Sequence, residues 1–429
     1  MIDLRLIREQ PEFVRENIKK RFKESAVVDE ILKKDAEWRK LKGESDALRA
    51  ERNTLSKQVA ELKKAKKNAD ALLKKAQKLP EQLASLENRM KILESGRDSL
   101  LLTVPNMLHE TVPRGKDASQ NVELRKWGKL PKFDFPLLNH SELLENAGLA
   151  DFDAGRANAG EGFNYLLGDM ALLDHALQRY GVDFIIKKGF TLVVPPLLLN
   201  FETLLATLNG LIDFEEVVYK IEKENLYLIG TAEHALASLH KNRTLNKKEL
   251  PLRYCALTPC FRKEIGSHGV DTKGLFRMHQ FNKVEQVVYC TPEDSFKILE
   301  EMQKITEEFF QSLKIPYRVI ELCSGDLGTK FAKQYDIEAW FPRQGKYAEV
   351  TSAGDCTDFQ SRALNIKYYE KEEKKHPHIL NNTMVATSRA MVAILENCQQ
   401  KDLSVKVPDV LIPYMQGRKV IKKAGQRNL

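Results

Sequence analysis

The sequence predicts an α+β protein, with a helical hairpin at the N-terminus followed by one large domain of mixed helices and strands. Three observations predict this. Residues 31–102 hold a single proline and two apolar stripes of seven-residue period. Turn signals crowd residues 103–135. From about 137 onward, apolar helical stretches alternate with short runs rich in β-branched and aromatic residues, the pattern of mixed rather than segregated structure.

The hairpin comes first. Leu41, Leu48, Leu55 and Leu62 are seven apart, as are Leu79, Leu86, Leu93 and Leu100, with Leu83 and Met90 interleaved. Such spacing gives each helix one narrow apolar stripe, the seam of a coiled coil. The sixteen residues between the stripes are polar, so the helices are expected to run antiparallel about a turn. Pro80 is expected in the first turn of the second helix, where its missing N–H costs little. Arms of about 35 residues reach roughly 50 Å at the helical rise per residue.

Charge gathers at that turn. The chain has 429 residues and a net charge of +8, of which +6 falls in residues 1–110. Residues 61–80 carry seven lysines, among them Lys63, Lys64, Lys66, Lys67, Lys74 and Lys75, against Glu61 and Asp70. A solvated turn explains this, and so does a handle for a phosphate backbone, which gains affinity from lysine without reading sequence. Both readings stay open at this level.

Val104-Pro105-Asn106, Val112-Pro113-Arg114-Gly115 and Gly128-Lys129-Leu130-Pro131 are turn signals. They mark residues 111–136 as a linker between a helical domain (1–110) and a second domain (137–429). Within the latter, strands are expected at Phe190–Val194, Leu226–Ile229, Val284–Tyr289, Tyr317–Glu321 and Tyr347–Val350. No repeat of solenoid length recurs. No apolar run approaches a spanning helix, and the N-terminus lacks the apolar stretch of a signal peptide. Six cysteines are too few for a disulfide scaffold. A cytoplasmic protein without a membrane partner is expected. The basic tail, with Arg418, Lys419, Lys422, Lys423 and Arg427, is expected to be disordered.

The densest chemistry lies between Pro259 and Glu285. Phe261-Arg262-Lys263-Glu264 and Gly274-Leu275-Phe276-Arg277-Met278-His279-Gln280-Phe281-Asn282-Lys283-Val284-Glu285 flank a polar loop. Arg262 and Arg277 can fork phosphate oxygens, Phe281 offers a face for a base, and Glu264 an acceptor for an exocyclic amine. These parts suit a nucleotide site, and the chain has no P-loop. Cys255 and Cys260 lack a matching pair of ligands, so zinc is not expected.

These segments resemble motif 2 of class II aminoacyl-tRNA synthetases, in the form found in the seryl-tRNA synthetase family. Gly189-Phe190-Thr191-Leu192-Val193-Val194-Pro195-Pro196 resembles motif 1, and Thr231-Ala232-Glu233 the family's TxE element. Glu338-Ala339-Trp340-Phe341-Pro342, Tyr347-Ala348-Glu349-Val350-Thr351-Ser352 and Cys356-Thr357-Asp358-Phe359-Gln360 resemble its substrate strands and signature. Leu380 to Ala390 resembles motif 3, and the basic hairpin the tRNA-binding arm. The resemblance covers essentially the whole chain in the expected order.

The resemblance implies an antiparallel-sheet catalytic domain and a homodimer that joins L-serine to ATP and passes the seryl group to tRNA(Ser), with tRNA(Sec) left open as a second acceptor. It implies that Arg262 holds the α-phosphate and Arg389 the γ-phosphate, and that Phe281 stacks adenine against Arg389 while Glu264 reads its amine. Lys263, Arg277, Met278, Val350 and Thr351 complete the ATP contacts. Glu349, the third catalytic residue, and Ser352 are implied ligands of Mg2+. Serine falls to Thr231, Ala232, Glu233, Arg262, Glu285 and Thr383, and the tRNA backbone to the six lysines of the turn. Taken alone, Thr231 and Thr383 read as a helix cap or strand residues. His268 is assigned to the tRNA acceptor end, and His279 reads equally as a structural hydrogen-bonder.

Some positions depart from the commoner family pattern. Asn382 and Thr383 stand for Gly and Ser, Ala363 for Arg, and Ala353-Gly354-Asp355 for Cys-Ser-Asn, so Asp355 is expected to add charge near ATP. Residues 161–168 are also unusual. A paralogue without tRNA transfer should lack the basic arm, and a silent homologue should lack Arg262, Arg389 or Glu349. All are present.

Overall fold

The computed structural model describes residues 1–208, 217–264 and 274–423. It divides into two compact units, Ile2–Val104 and Pro105–Leu429, with Met1 counted in the second.

In the first unit, two short helices precede α1 (Val27–Lys64) and α2 (Asp70–Leu101), which pair antiparallel. Leu41, Leu55, Leu79, Leu83 and Leu101 are buried, while Leu48, Leu62, Leu86 and Leu93 are half-buried, because a two-helix seam covers only one side of each side chain. Asp35 is fully buried and sits among Arg8, Arg39 and Arg97. Burial pushes its carboxyl upward, but the three guanidinium groups hold it below its usual value. The turn closes with Lys67 N–H donating to Leu62 O (2.9 Å) and Lys66 N–H to Lys63 O (3.1 Å). Lys66 itself takes a left-handed φ of 55°, the residue type aside a usual helix stop. Asn68 Oδ1 then accepts the Asp70 N–H at 2.7 Å and starts α2. Pro80 therefore lies inside α2 rather than in its first turn. The six lysines of the turn are all exposed, and Lys75 pairs with Glu51 at 2.7 Å.

The second unit is built on an eight-stranded sheet. Its strands are β1 (Val122–Trp127), β2 (Thr191–Leu192), β3 (Leu252–Phe261), β4 (Gln280–Cys290), β5 (Tyr317–Glu321), β6 (Lys333–Phe341), β7 (Lys346–Asp355) and β8 (His378–Ala386). They lie in the order β1-β5-β6-β7-β8-β4-β3-β2. Every pairing is antiparallel except β2 with β3. The helices used below are α3 (His140–Ala147), α4 (Asp169–Lys187), α5 (Ala232–Ala237), α6 (Ser295–Ser312) and α7 (Thr387–Asn397).

Alternation along β4 assigns the two faces. Val284 and Val288 join a core with Leu173 and Leu177 of α4, Leu299 and Phe309 of α6, and Met391 and Ile394 of α7. Val287 and Tyr289 join a second cluster with Ala232 and Leu236 of α5. Glu285 shares its face with Val287 and Tyr289, so it opens on the side that α5 covers.

Two expectations need correction. The segment 111–136 is not only a linker: β1 pairs with β5, with Trp127 opposite Tyr317 and Val122 opposite Glu321. All six of its residues are exposed, so it lacks the alternation that reveals a half-buried strand. In the C-terminal segment, Val420–Ile421 pairs with Val405–Lys406, and Arg418 ion-pairs with Asp169 at 3.3 Å, so residues up to Lys423 are structured. Arg427 lies outside the described residues, as do His268 and the rest of 265–273. Among the described residues, no helix is long and apolar enough to cross a membrane.

Candidate functional site

The site forms where β8, β4 and β3 stand side by side in the middle of the sheet. Thr383 of β8 lies opposite Glu285 of β4, and Glu285 lies opposite Ala256 of β3. The short helix α5 enters the same face, with Thr231 as its N-cap. A cleft of about 360 Å³ results, lined by Thr231, Glu233, Arg262, Glu285, Glu349, Thr383 and Arg389, among others. That size fits a small ligand.

One end is a network of buried polar groups. Thr231 Oγ1 accepts the Glu233 N–H (3.2 Å) and donates to Glu285 Oε2 (2.8 Å), so it is both a helix cap and part of the cleft. Lys283 reaches the same Glu285 oxygen and donates to Thr383 Oγ1 at 3.4 Å. Thr383 Oγ1 donates to Glu285 Oε1 at 3.5 Å. Glu233 is held by Lys330 and by Gln360 Nε2 at 2.8 Å. Burial pushes the Glu233 carboxyl upward, yet Lys330 and Gln360 outweigh it and keep it below its usual value. Unpaired, these charges would be very costly at this depth.

The other end holds the arginines and rings. Arg262 donates from Nε to Gly230 O at 3.1 Å, and its guanidinium lies 5.5 Å from the centre of the Phe281 ring. Arg389 donates to Glu349 Oε1 at 2.8 Å and lies 5.3 Å from the centre of the Phe276 ring. Arg389 thus faces Phe276 rather than Phe281. Arg277 pairs with Glu264 at 3.0 Å. The limb carrying Phe276, Arg277 and Met278 is pinned by His140, whose Nε2 accepts the Leu275 N–H at 3.0 Å. Gly274, at φ 110°, allows that approach, since a Cβ there would lie 2.2 Å from His140 Nε2.

Most residues singled out in the sequence line this cleft: Thr231, Glu233, Arg262, Glu264, Arg277, Met278, Phe281, Glu285, Glu349, Val350, Thr351, Ser352, Thr383 and Arg389. Two do not. Ala232 is fully buried in the core beneath α5, and Lys263 is tied by its backbone N–H to Val217 O at 3.0 Å. Asp355 is not at the nucleotide end. It is buried three residues beyond Ser352 on β7, facing the other way, and accepts from Ser295 and from the Thr357 N–H. Asn382 points to α6, donating to Met302 O and Thr306 Oγ1. His279 bonds Tyr219 and Arg262 O, which supports the structural reading. Sequence reasoning missed Lys330, Lys283, His234, Gln334 and Phe276. A lone lysine or histidine carries no signal until its partner is known, although Gln360 sat in a quoted signature.

Residues 1–108 match the family model described as the seryl-tRNA synthetase N-terminal domain. Residues 218–398 match the class II core domain of the G, H, P, S and T synthetases. A serine–tRNA ligase of Methanospirillum hungatei is 46% identical, over 98% of this chain and 100% of the relative. The chain belongs to the seryl-tRNA synthetase family. The solved seryl-tRNA synthetase of Pyrococcus horikoshii, complexed with ATP, superposes with a TM-score of 0.91 at 44% identity, covering 99% of this chain and all of that one. That of Naegleria fowleri, complexed with AMP, gives 0.86 at 36% identity, covering 99% of each. Within this seryl-tRNA synthetase fold, the class II sheet supplies the cleft floor through β4, β7 and β8, and the arginines come from the end of β3 and the start of α7.

Proposed function

We propose that the cleft activates L-serine with ATP and then transfers the seryl group to tRNA(Ser). In the first step a serine carboxylate oxygen bonds to the α-phosphorus and the bond to pyrophosphate breaks. In the second, a hydroxyl of the terminal adenosine attacks the seryl carbonyl and AMP leaves. The observation that carries the reading is the pairing of the two ends: buried carboxylates and hydroxyls around Glu285 and Glu233 beside Arg262, Arg389 and Phe281. Arg262 meets the charge that builds on the α-phosphate, and Arg389 the γ-phosphate. Preorganised cations aimed at developing charge are the largest expected catalytic contribution. Adenine lies against Phe281, with Glu264 at its amine.

Serine is chosen by hydrogen bonds. Its hydroxyl adds little apolar area, so discrimination against alanine comes from polar groups that alanine leaves unpaired. Glu285, Thr231 and Thr383 already form one bonded set.

Magnesium suits the nucleotide end. Asp336 Oδ1 is buried without a hydrogen-bond partner. It belongs to the residue opposite Ser352 across β6 and β7, and Glu349 on β7 is half-exposed at the cleft. Such hard oxygen donors, few in number, fit an ion that also binds phosphates. Glu349 and Ser352 would hold it, and it would neutralise charge on the phosphates. Gln334 Nε2 fixes the Ser352 hydroxyl at 2.8 Å.

The lysines of the α1–α2 turn contact the tRNA backbone. Val194 is 93% exposed and Leu192 43% exposed at the β2 edge of the sheet, which supports a homodimer formed through that edge. The cytoplasm is the proposed compartment.

The deciding experiment is ATP–pyrophosphate exchange, which is expected to require L-serine. Equal exchange with alanine or threonine would overturn the assignment. For the hairpin, changing Lys63, Lys64, Lys66 and Lys67 to Ala removes up to four phosphate contacts. The slope of log affinity against log salt is then expected to fall by about 3–4, with exchange unchanged. Unaltered tRNA affinity would make the lysines a solvated turn.

A further inference from the structure

Two of the four carboxylate oxygens at the serine end of the cleft are already taken. Serine brings three N–H groups and one O–H, all donors. Glu285 Oε2 already receives Thr231 and Lys283, and Glu233 Oε1 receives Lys330 and Gln360. A carboxylate oxygen has two lone pairs, so both of these oxygens are filled from within the protein.

His234 lines the same cleft and is only 5% exposed. Its Nδ1 lies 3.0 Å from Thr207 Oγ1. The hydroxyl of Thr207 has one proton, and it is committed to Leu204 O at 2.8 Å. Thr207 can therefore only accept from His234, which places the imidazole proton on Nδ1 and leaves Nε2 as a lone pair. Nε2 has no hydrogen-bond partner among the described residues. It faces Gly230, where a Cβ would stand 3.7 Å away; glycine leaves it uncovered. Burial, with Lys330, Arg262 and Lys283 nearby, takes the imidazole down to about 3, so it stays neutral beside those cations.

We infer that His234 is a serine-contacting, specificity-determining residue, its Nε2 accepting a hydrogen bond from the ammonium or hydroxyl of L-serine and its tautomer set by Thr207. The inference rests on the assignment of this end of the cleft to serine. The same oxygen-rich hub supports it, because the carbonyl of Thr207 also receives Lys330 Nζ (3.4 Å) and Gln360 Nε2 (3.2 Å). One residue thus anchors both His234 and the partners of Glu233.

The test uses the full chain. His234→Asn keeps a donor toward Thr207 and deletes the acceptor at the Nε2 position, while His234→Gln places an acceptor near that position. In exchange assays His234→Asn is expected to raise KM for serine at least tenfold with KM for ATP within twofold, and His234→Gln to recover part of the loss. A serine KM within twofold of wild type for His234→Asn would overturn the inference. Loss of discrimination against alanine in His234→Asn assigns the contact to the hydroxyl; an equal fall for alanine and serine assigns it to the ammonium. In the unmodified protein, 15N-histidine spectra are expected to show the neutral Nδ1–H tautomer, with the Nε2 resonance shifting on addition of serine. An Nε2–H tautomer, or no shift, would overturn it even if the variants fail to fold. Serine-dependent exchange by the wild type is a separate result, so failure of the serine assignment and failure of the His234 contact are read apart.

Discussion

Arg262→Ala is expected to lower serine-dependent ATP–pyrophosphate exchange by about a hundredfold to a thousandfold, the usual loss when one preorganised group aimed at developing charge is removed. The side chain is well placed for that. Its Nε is spent on Gly230 O, which fixes the guanidinium over Phe281 and leaves the two terminal nitrogens facing the cleft. The fold should survive, since the cation over the aromatic face contributes only about 0.5–1 kcal/mol at a partly exposed position and the charged hydrogen bond to Gly230 O about 1.5–3 kcal/mol. Arg262→Lys is expected to fall between, keeping the charge and losing the fork. Near-normal exchange by Arg262→Ala, in a protein that urea unfolding shows to be folded, would remove Arg262 from the phosphate.

Lys330→Met is expected to cost about 3–5 kcal/mol of stability and most of the serine-dependent exchange, because it strands the buried Glu233 without its cation. The pH dependence carries the sign. With Lys330 present, the folded carboxyl of Glu233 lies below its ordinary value of 4.5. Its contribution is therefore full above 4.5 and is lost as pH falls through the lower, folded value. Without Lys330, burial dominates and the carboxyl moves up. The destabilisation of the variant relative to wild type should then shrink as pH falls through the raised carboxyl value down to 4.5, and shrink further below 4.5 as the wild type loses its own contribution. Glu233→Gln in the Lys330→Met background should restore much of the stability and little of the exchange. Urea unfolding at pH 7.5 and pH 4.5 checks both. A loss that is the same at the two pH values would show that Lys330 acts by packing and not by charge.

Much of this was legible in the chain and some of it could not have been. The leucine stripes gave α1 and α2 because a seven-residue period has few other physical explanations, but the partial exposure of Leu48 and Leu86 on a two-helix seam is a property of the packing. Arg262, Phe281, Glu285 and Arg389 were found because they sit in dense local runs of unusual composition. Lys330 and Gln360 meet Glu233 from separate segments about a hundred residues away in sequence, and nothing local announces that. The orientation of Asp355 was misjudged for a related reason. Alternation along β7 turns a residue three beyond Ser352 to the opposite face, and a reading by motif alone treats neighbours in sequence as neighbours in space. The strand β1 was missed because an edge strand in water needs no apolar face.

That edge strand bears on how the molecule can be divided. A fragment starting at Leu137 would begin after β1, and β5 would then present a bare row of N–H and C=O groups, the template for pairing with another chain. A fragment starting at Pro105 carries its own edge cover. The connecting stretch is thus a protective hem of the sheet, and any attempt to express the synthetase body alone should keep it attached.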